Sequence, residues 1–205
     1  MSKTPLPLPL LRVRAHTQAI HQALEELPLS RAIVDERLTR AGYARLLTEL
    51  LPLHRALERG LAAYPQLADL RAEAERSALI ERDLERWGAG GVSASGRAAG
   101  ERYARLTETL IGALGAAYVV VGSRMGSRVL VRHLAPSLGV ELEAGQGLDY
   151  HLEGAEGFPV RWRAICLGLD GLVPSSQLEA FAEAGRLGME AYYQLYAALG
   201  AELGL

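Results

Sequence analysis

Lysine is almost missing from this chain. Lys3 is the one lysine among 22 basic residues, the rest being arginine, a bias that coding preference explains as well as function does. Cysteine is as scarce. The single Cys166 excludes an intramolecular disulfide and any zinc site built from several cysteines. It lies in the apolar run Ala164, Ile165, Leu167, so an inert core thiol is expected rather than a reactive one. Neither sign of charge is in excess: the formal net charge is −2 and the isoelectric point about 6.2, so no bulk attraction to nucleic acid is expected. No uninterrupted run approaches the ~18 apolar residues of a membrane helix. From Thr4 to Leu11 proline and leucine alternate, with no basic region ahead of an apolar stretch, unlike a signal peptide. A soluble, cytoplasmic protein is expected. Several enzyme signatures are absent as well: there is no glycine-rich phosphate loop, no H-E-x-x-H and no serine nucleophile elbow. The E-x-x-H pattern of di-iron bundles is missing too, since neither His21 nor His54 has a glutamate three residues before it.

What is present points to helices. The 205 residues, 49% of them hydrophobic, suit one compact domain spanning 1–205. Periodicity predicts helices over Leu10–Leu27, from a Thr39 cap to about Ala63, and over Leu67–Trp87. Pro52 is expected to kink or break the second of these. Residues 1–9 are expected to be flexible, and the glycine- and serine-rich stretch Gly88–Gly100 to be a mobile loop. A long segment, Glu101–Ala135, reads as helix interrupted by glycines at 112, 115, 122 and 126, and residues 139–159 read as irregular. Helices resume over Val160–Leu169 and Leu178–Leu203. No strand pair or internal repeat is present in the pattern, so the fold class is all-α. With no long exposed heptad seam, a monomer is expected.

Two local features stand out. On the first helix, at ~100° per residue, Arg14, Thr17, His21, Leu24 and Glu25 gather toward one side. An imidazole at His21 can give one nitrogen to a metal while Glu25, one turn on, accepts its other N–H; from this helix alone, a helix-boundary histidine bonded to a carbonyl or water is the favoured reading. The second feature is Tyr118-Val-Val-Val-Gly122-Ser123-Arg-Met-Gly126-Ser127, where two glycines four apart share one helical face. Glycine costs about 1 kcal/mol against alanine inside a helix, so the pair needs a compensating reason: close packing of another helix, or a flat ligand lying against the bare backbone. Taken together, the two features suggest a flat, metal-bearing ligand held between a histidine helix and a glycine helix.

On these residues the chain resembles the haem oxygenase family over most of its length. The N-terminal R-x-x-x-T-x-x-x-H-x-x-x-E pattern runs from Val13 with Thr17, His21 and Glu25 in register. The family's arginine-rich helix with an Asp-Leu pair resembles Arg76–Leu84, and its glycine helix resembles Tyr118–Leu130. Its later G-L-x-aromatic segment and aromatic-Arg helix resemble Gly147–Leu152 and Trp162-Arg163. The resemblance implies an all-α, multi-helix haem oxygenase-like bundle with haem as substrate and cofactor. His21 would be the proximal iron ligand, Glu25 its partner, and Thr17 part of the same haem-side pattern. Gly122 and Gly126 would let the distal backbone approach the porphyrin, with Ser123 and Ser127 beside them in the catalytic set. Arg14, Arg163 and Tyr118 would contact the propionates. The implied reaction cleaves haem with O2 and electrons to biliverdin, CO and Fe2+, the electrons coming from an external ferredoxin or reductase.

The chain departs from the family in placing Ser123 where many members carry an aspartate and Ser127 where they carry a glycine. A glycine-serine helix of this kind is associated with the bacterial, phytochrome-linked subgroup, so a bacteriophytochrome is a possible partner. The same departures motivate an alternative, a non-catalytic haem-binding or haem-transfer protein on the same fold. Helical phase points Arg124 and Met125 away from the haem. His133 is expected to be structural, His16 lies ~140° around the helix from His21, and His54 and His151 are read as having no special role.

Overall fold

The computed structural model describes residues 6–205. Residues 1–5, most of the segment expected to be flexible, lie outside the described residues; Leu8 and Pro9 already belong to the first helix. In chain order the helices are α1 (Leu8–Glu25), α2 (Pro28–Val34), α3 (Arg40–Leu61), α4 (Ala68–Ala74), α5 (Ser77–Trp87), α6 (Ala94–Leu106), α7 (Leu110–Leu138), α8 (Asp149–Leu152), α9 (Phe158–Leu172) and α10 (Leu178–Glu202). Single 3-10 turns, Pro65–Leu67 and Ser175–Gln177, precede α4 and α10. No strand occurs among the described residues.

Helix starts follow local chemistry where the sequence supplies it. Thr39, Ser93 and Thr109 each accept the N–H of a glycine three residues on, Gly42, Gly96 and Gly112, which satisfies one of the donors a helix start leaves unpaired. Gly139, with φ of 63°, ends α7 in the left-handed conformation. Other starts are capped from afar. Glu58 of α3 accepts the N–H groups of Arg76 and Ser77 at 2.7 and 2.6 Å, at the start of α5. Glu49 of α3 accepts the Ser93 N–H and hydroxyl at 2.9 and 2.6 Å, at the start of α6. Asp83 of α5 accepts the Asp149 and Tyr150 N–H groups, both at 2.9 Å, at the start of α8. Negative charge at a helix N-terminus is favoured by the backbone dipoles as well as by these bonds.

α10 is the helix against which α1, α7 and α6 pack. α1 and α7 both pack along it and run in its direction: Val13 of α1 lies at Gly185 and Leu29, at the start of the following α2, at Gly200, while Gly115 lies at Ala184 and Val119 at Gly188. A Cβ on Gly185 would come within 2.5 Å of the Val13 side chain, and one on Gly115 within 2.7 Å of Ala184, so glycine here permits close helix approach. α3 and α6 form a second pair, with Gly100 seated on Pro52. α7 is long and apolar enough to cross a membrane by length and composition, yet 67% of its most apolar window is buried inside the bundle.

Pro52 lies inside α3 without breaking it, and the helix continues to Leu61, close to the expected end at about Ala63. Several other boundaries differ from expectation. The expected 67–87 helix divides at Glu75 and Arg76, where Glu58 starts α5. The Gly88–Gly100 stretch is loop only to Ser93; Glu49 draws Ser93 into a cap and residues 94–100 are helical. The long segment breaks at residues 107–109, the Thr109 cap, rather than at its glycines. A short α2 was missed, as was α8 within the irregular stretch.

Candidate functional site

On α1, Val13 and Thr17 face α10. Thr17 is buried, its hydroxyl donating to the Val13 carbonyl at 2.8 Å and its methyl lying toward Gly185. It therefore packs α1 onto the bundle, one turn before the exposed His21. His21 sits on the open side of the helix, 55% exposed, with Nδ1 3.4 Å from a Glu25 carboxylate oxygen. That contact is long, but it orients the ring and leaves Nε2 directed elsewhere. Toward the start of the helix, Arg14 lies beside the Tyr118 hydroxyl of α7 and near Cys166 of α9. Burial raises the Tyr118 phenol above its ordinary value and the neighbouring Arg14 opposes that rise.

Beyond Tyr118, one face of α7 turns outward. Ser123, Met125, Gly126 and Val129 are exposed, whereas residues 111–117 are buried throughout. Gly126 is bare: a Cβ there would meet nothing within 4 Å. Gly122 is not, since the missing Cβ would lie 3.1 Å from the Trp162 indole. Ser123 turns back on its own helix, donating to the Val120 carbonyl at 2.8 Å. Ser127 points inward, with its hydroxyl 3.4 Å from His151 Nδ1. Arg124 is buried as its phase requires; it pairs with Glu73 and lies 4.2 Å from the centre of the Phe158 ring. Met125, by contrast, is 45% exposed on the flank of the open face. Arg163 is exposed on α9, next to Trp162.

α1 and α7 meet through α10 at Gly185 and through Arg14 and Tyr118. They are bridged again at the far end, where α2 packs on α7 and His133 lies 3.5 Å from Glu36. Between those ties the two helices hardly touch. His21 on α1 and Gly126 on α7 are both exposed. His16 is separate, 3.3 Å from Glu179 on α10. Cys166 is the expected core thiol, with burial pushing its pKa up to about 11. A groove of about 810 Å3, lined by Leu106, Leu110, Ile111, Leu172 and Leu187 among others, opens at the start of α7 and includes none of the predicted site residues.

One assembly escaped the sequence reading. His54 and His151, read as having no special role, are both buried in a polar interior between α3, α5, α7 and α8. His54 Nε2 lies 2.9 Å from the Tyr150 hydroxyl, and the Tyr43 and His151 ring centres are 6.0 Å apart. Arg76 donates to the carbonyls of Glu153, Asp149 and Tyr150. Burial, reinforced by the Arg76 charge, lowers both histidine pKa values to about 3, so both rings are neutral. Tyr43 Oη, His54 Nδ1, Arg76 Nε, His151 Nε2 and Tyr192 Oη have no hydrogen-bond partner among the described residues. The only sequence trace was Asp149-Tyr150-His151 following a glycine-rich run, which has no periodicity to interpret.

A free imidazole nitrogen, a bare stretch of helix backbone, apolar flanks at Met125 and Val129 and a guanidinium at the Arg14 edge suit a flat, largely apolar ligand that carries its own metal and an acidic rim. No group of three histidine, cysteine or carboxylate side chains able to hold a bare metal ion occurs among the described residues.

Solved structures share this architecture. Heme oxygenase-1 from the cyanobacterium Synechocystis, solved in complex with heme, is similar with a TM-score of 0.80 and 16% identity, covering 96% of this chain and 94% of that one. Heme oxygenase from Leptospira interrogans gives a TM-score of 0.79 and 18% identity over 94% and 100% of the two chains. Heme oxygenase-2 from Synechocystis, in complex with heme and NO, gives 0.76 and 15% over 96% and 88%. At these identities the likeness shows the fold alone. No curated protein sequence matches significantly. The family model described as heme oxygenase matches residues 10–184, which is most of the chain and takes in the His21 helix, the Gly126 helix and α9. The chain belongs to the haem oxygenase family.

Proposed function

We propose that this protein binds haem through His21 and opens the ring oxidatively to biliverdin, CO and ferrous iron. Two observations carry the reading: His21 on α1 is exposed with its Nδ1 side facing Glu25, and Gly126 on α7 has nothing within 4 Å of its missing Cβ. In the haem-bound protein Glu25 holds the His21 proton on Nδ1, leaving Nε2 for iron. Arg14, held beside Tyr118, and the exposed Arg163 take the propionates, as charge-assisted partners for carboxylates. The open face of α7 admits the porphyrin at Gly126. Bound haem supplies the iron that binds and activates dioxygen. An external ferredoxin or reductase supplies electrons to a cytoplasmic monomer, and the product serves as chromophore for a bacteriophytochrome.

Ser123 motivates the second reading, a haem carrier without turnover. Its hydroxyl is engaged by its own helix, and α7 contains no aspartate or glutamate. The two readings separate in one experiment. Hemin is titrated into the protein and into His21→Ala, and a reductant or a competent ferredoxin–reductase pair is then added in air. Catalysis gives a His21-dependent Soret band that decays as biliverdin absorbance grows. A Soret band that persists under full electron supply supports the carrier, and no Soret band at all defeats both readings.

A further inference from the structure

The two glycines of α7 have the same spacing and residue type but different neighbours. Gly126 is open, whereas the missing Cβ of Gly122 lies 3.1 Å from Cζ2, 3.5 Å from Cη2 and 3.9 Å from Cε2 of Trp162. All three are atoms of the six-membered ring, so it is the benzo side of the indole that lies against the helix backbone. Trp162 is 9% exposed, and its posture is fixed on two sides. Its ring stacks with Phe158 at 6.3 Å and an interplanar angle of 16°, and lies 5.3 Å from Tyr118 at 40°. Phe158 is covered in turn by the Arg124 guanidinium at 4.2 Å, which Glu73 holds. Aromatic side chains buried this way present a rigid surface at low cost in side-chain freedom.

We infer that Trp162 is a specificity-determining residue for haem seating: its indole fills the Gly122 end of the open face, so that Gly126 alone offers bare backbone to the porphyrin. This rests on the haem-binding reading above. Gly122 then serves packing between α7 and α9, while Gly126 serves the ligand. The in-plane position of the porphyrin, and with it the meso carbon presented for cleavage, is set by where the indole stops it. The recognised chemistry is the apolar edge of a planar tetrapyrrole, to which Trp162 contributes surface but no charge.

The test compares Gly122→Ala, Gly126→Ala and Trp162→Leu with the parent chain, using hemin affinity and the haem-methyl proton resonances of the ferric cyanide complex. Wild-type hemin binding that depends on His21 is established first; its absence would overturn the functional reading and this inference together. Given that binding, Gly126→Ala is expected to weaken hemin by about tenfold or more, because its methyl enters ligand space. Gly122→Ala is expected to stay within about threefold, its methyl pressing on the indole instead. Trp162→Leu is expected to show a second set of haem-methyl resonances from an alternative in-plane seating, and a changed mixture of biliverdin isomers where turnover occurs. Trp162→Tyr, which keeps an aromatic ring in the Phe158 stack, is expected to keep a single set and serves as the variant least able to disturb folding. Equal losses for the two glycine variants, or one unaltered set of resonances in Trp162→Leu, would overturn the inference while leaving haem binding intact.

Discussion

Acidification should destabilise this protein through two histidines that take no part in the proposed haem site. His54 and His151 are buried with pKa values lowered to about 3, while in the unfolded chain a histidine titrates near 6.5. Between those values the unfolded state takes up protons that the folded state refuses, so stability falls as pH drops below about 6.5. At pH 5 the difference amounts to roughly 2 kcal/mol per histidine, or about 4 kcal/mol for the pair. Asp83 opposes this. Burial raises its pKa to about 6 despite the N–H groups of Tyr150 and Asp149, and protonating it in the folded state offsets roughly 1 kcal/mol over the same range. A net loss of about 3 kcal/mol between pH 7.5 and pH 5 follows. Urea denaturation at the two pH values reads it directly, with the slope checked for constancy. The His54→Gln/His151→Gln double variant separates the histidine part: its loss between the two pH values should be smaller than wild type's by about 4 kcal/mol, whatever its absolute stability. Identical pH dependence in the two proteins would refute the reasoning, and would mean that the polar interior is hydrated enough to solvate an imidazolium.

Glu49→Ala should lower stability by about 3 kcal/mol by urea denaturation, since the buried carboxylate links Arg45 to the Ser93 cap of α6. Gly115→Ala should cost about 2 kcal/mol, because its methyl would stand 2.7 Å from the Ala184 Cβ and 2.8 Å from the Phe181 carbonyl oxygen. Gly126→Ala should instead stabilise the haem-free protein by up to about 1 kcal/mol, having no neighbour to strike; the contrast is read by paired thermal melts. Cys166 should react slowly with a thiol-specific disulfide reagent in the native protein and stoichiometrically in denaturant, its thiol being buried and its pKa pushed up to about 11.

Much of the fold was legible because helical periodicity and the Thr39 cap are local properties of the chain. The errors fall where a distant residue decides. Glu58, Glu49 and Asp83 each start a helix elsewhere in the sequence, so the split at Arg76, the early start of α6 and the presence of α8 had no local sign. The site shows the same division. His21, Glu25 and the bare Gly126 stand on open surface, and Arg124 points inward as phase required. Thr17 shared the family spacing yet is turned onto α10, because the close approach at Gly185 fixes the rotation of α1. Ser127 was grouped with the distal glycines but bonds inward toward His151. Gly122 and Gly126 were indistinguishable by sequence, since the indole that separates their roles arrives from α9.

The cap that Asp83 places on α8 also bears on how this molecule comes together and apart. Four residues cannot sustain a helix by themselves, and the carboxylate that holds them comes from 66 residues earlier in the chain. The Asp149 and Tyr150 amides are therefore shielded only while α5 and the 139–157 segment are docked. In hydrogen exchange they report a tertiary event rather than local fraying, opening together with the Arg76 contacts to the Asp149, Tyr150 and Glu153 carbonyls as one cooperative block. The segment that looks least structured in the sequence thus becomes the most direct reporter of whether the interior beneath α7 is assembled.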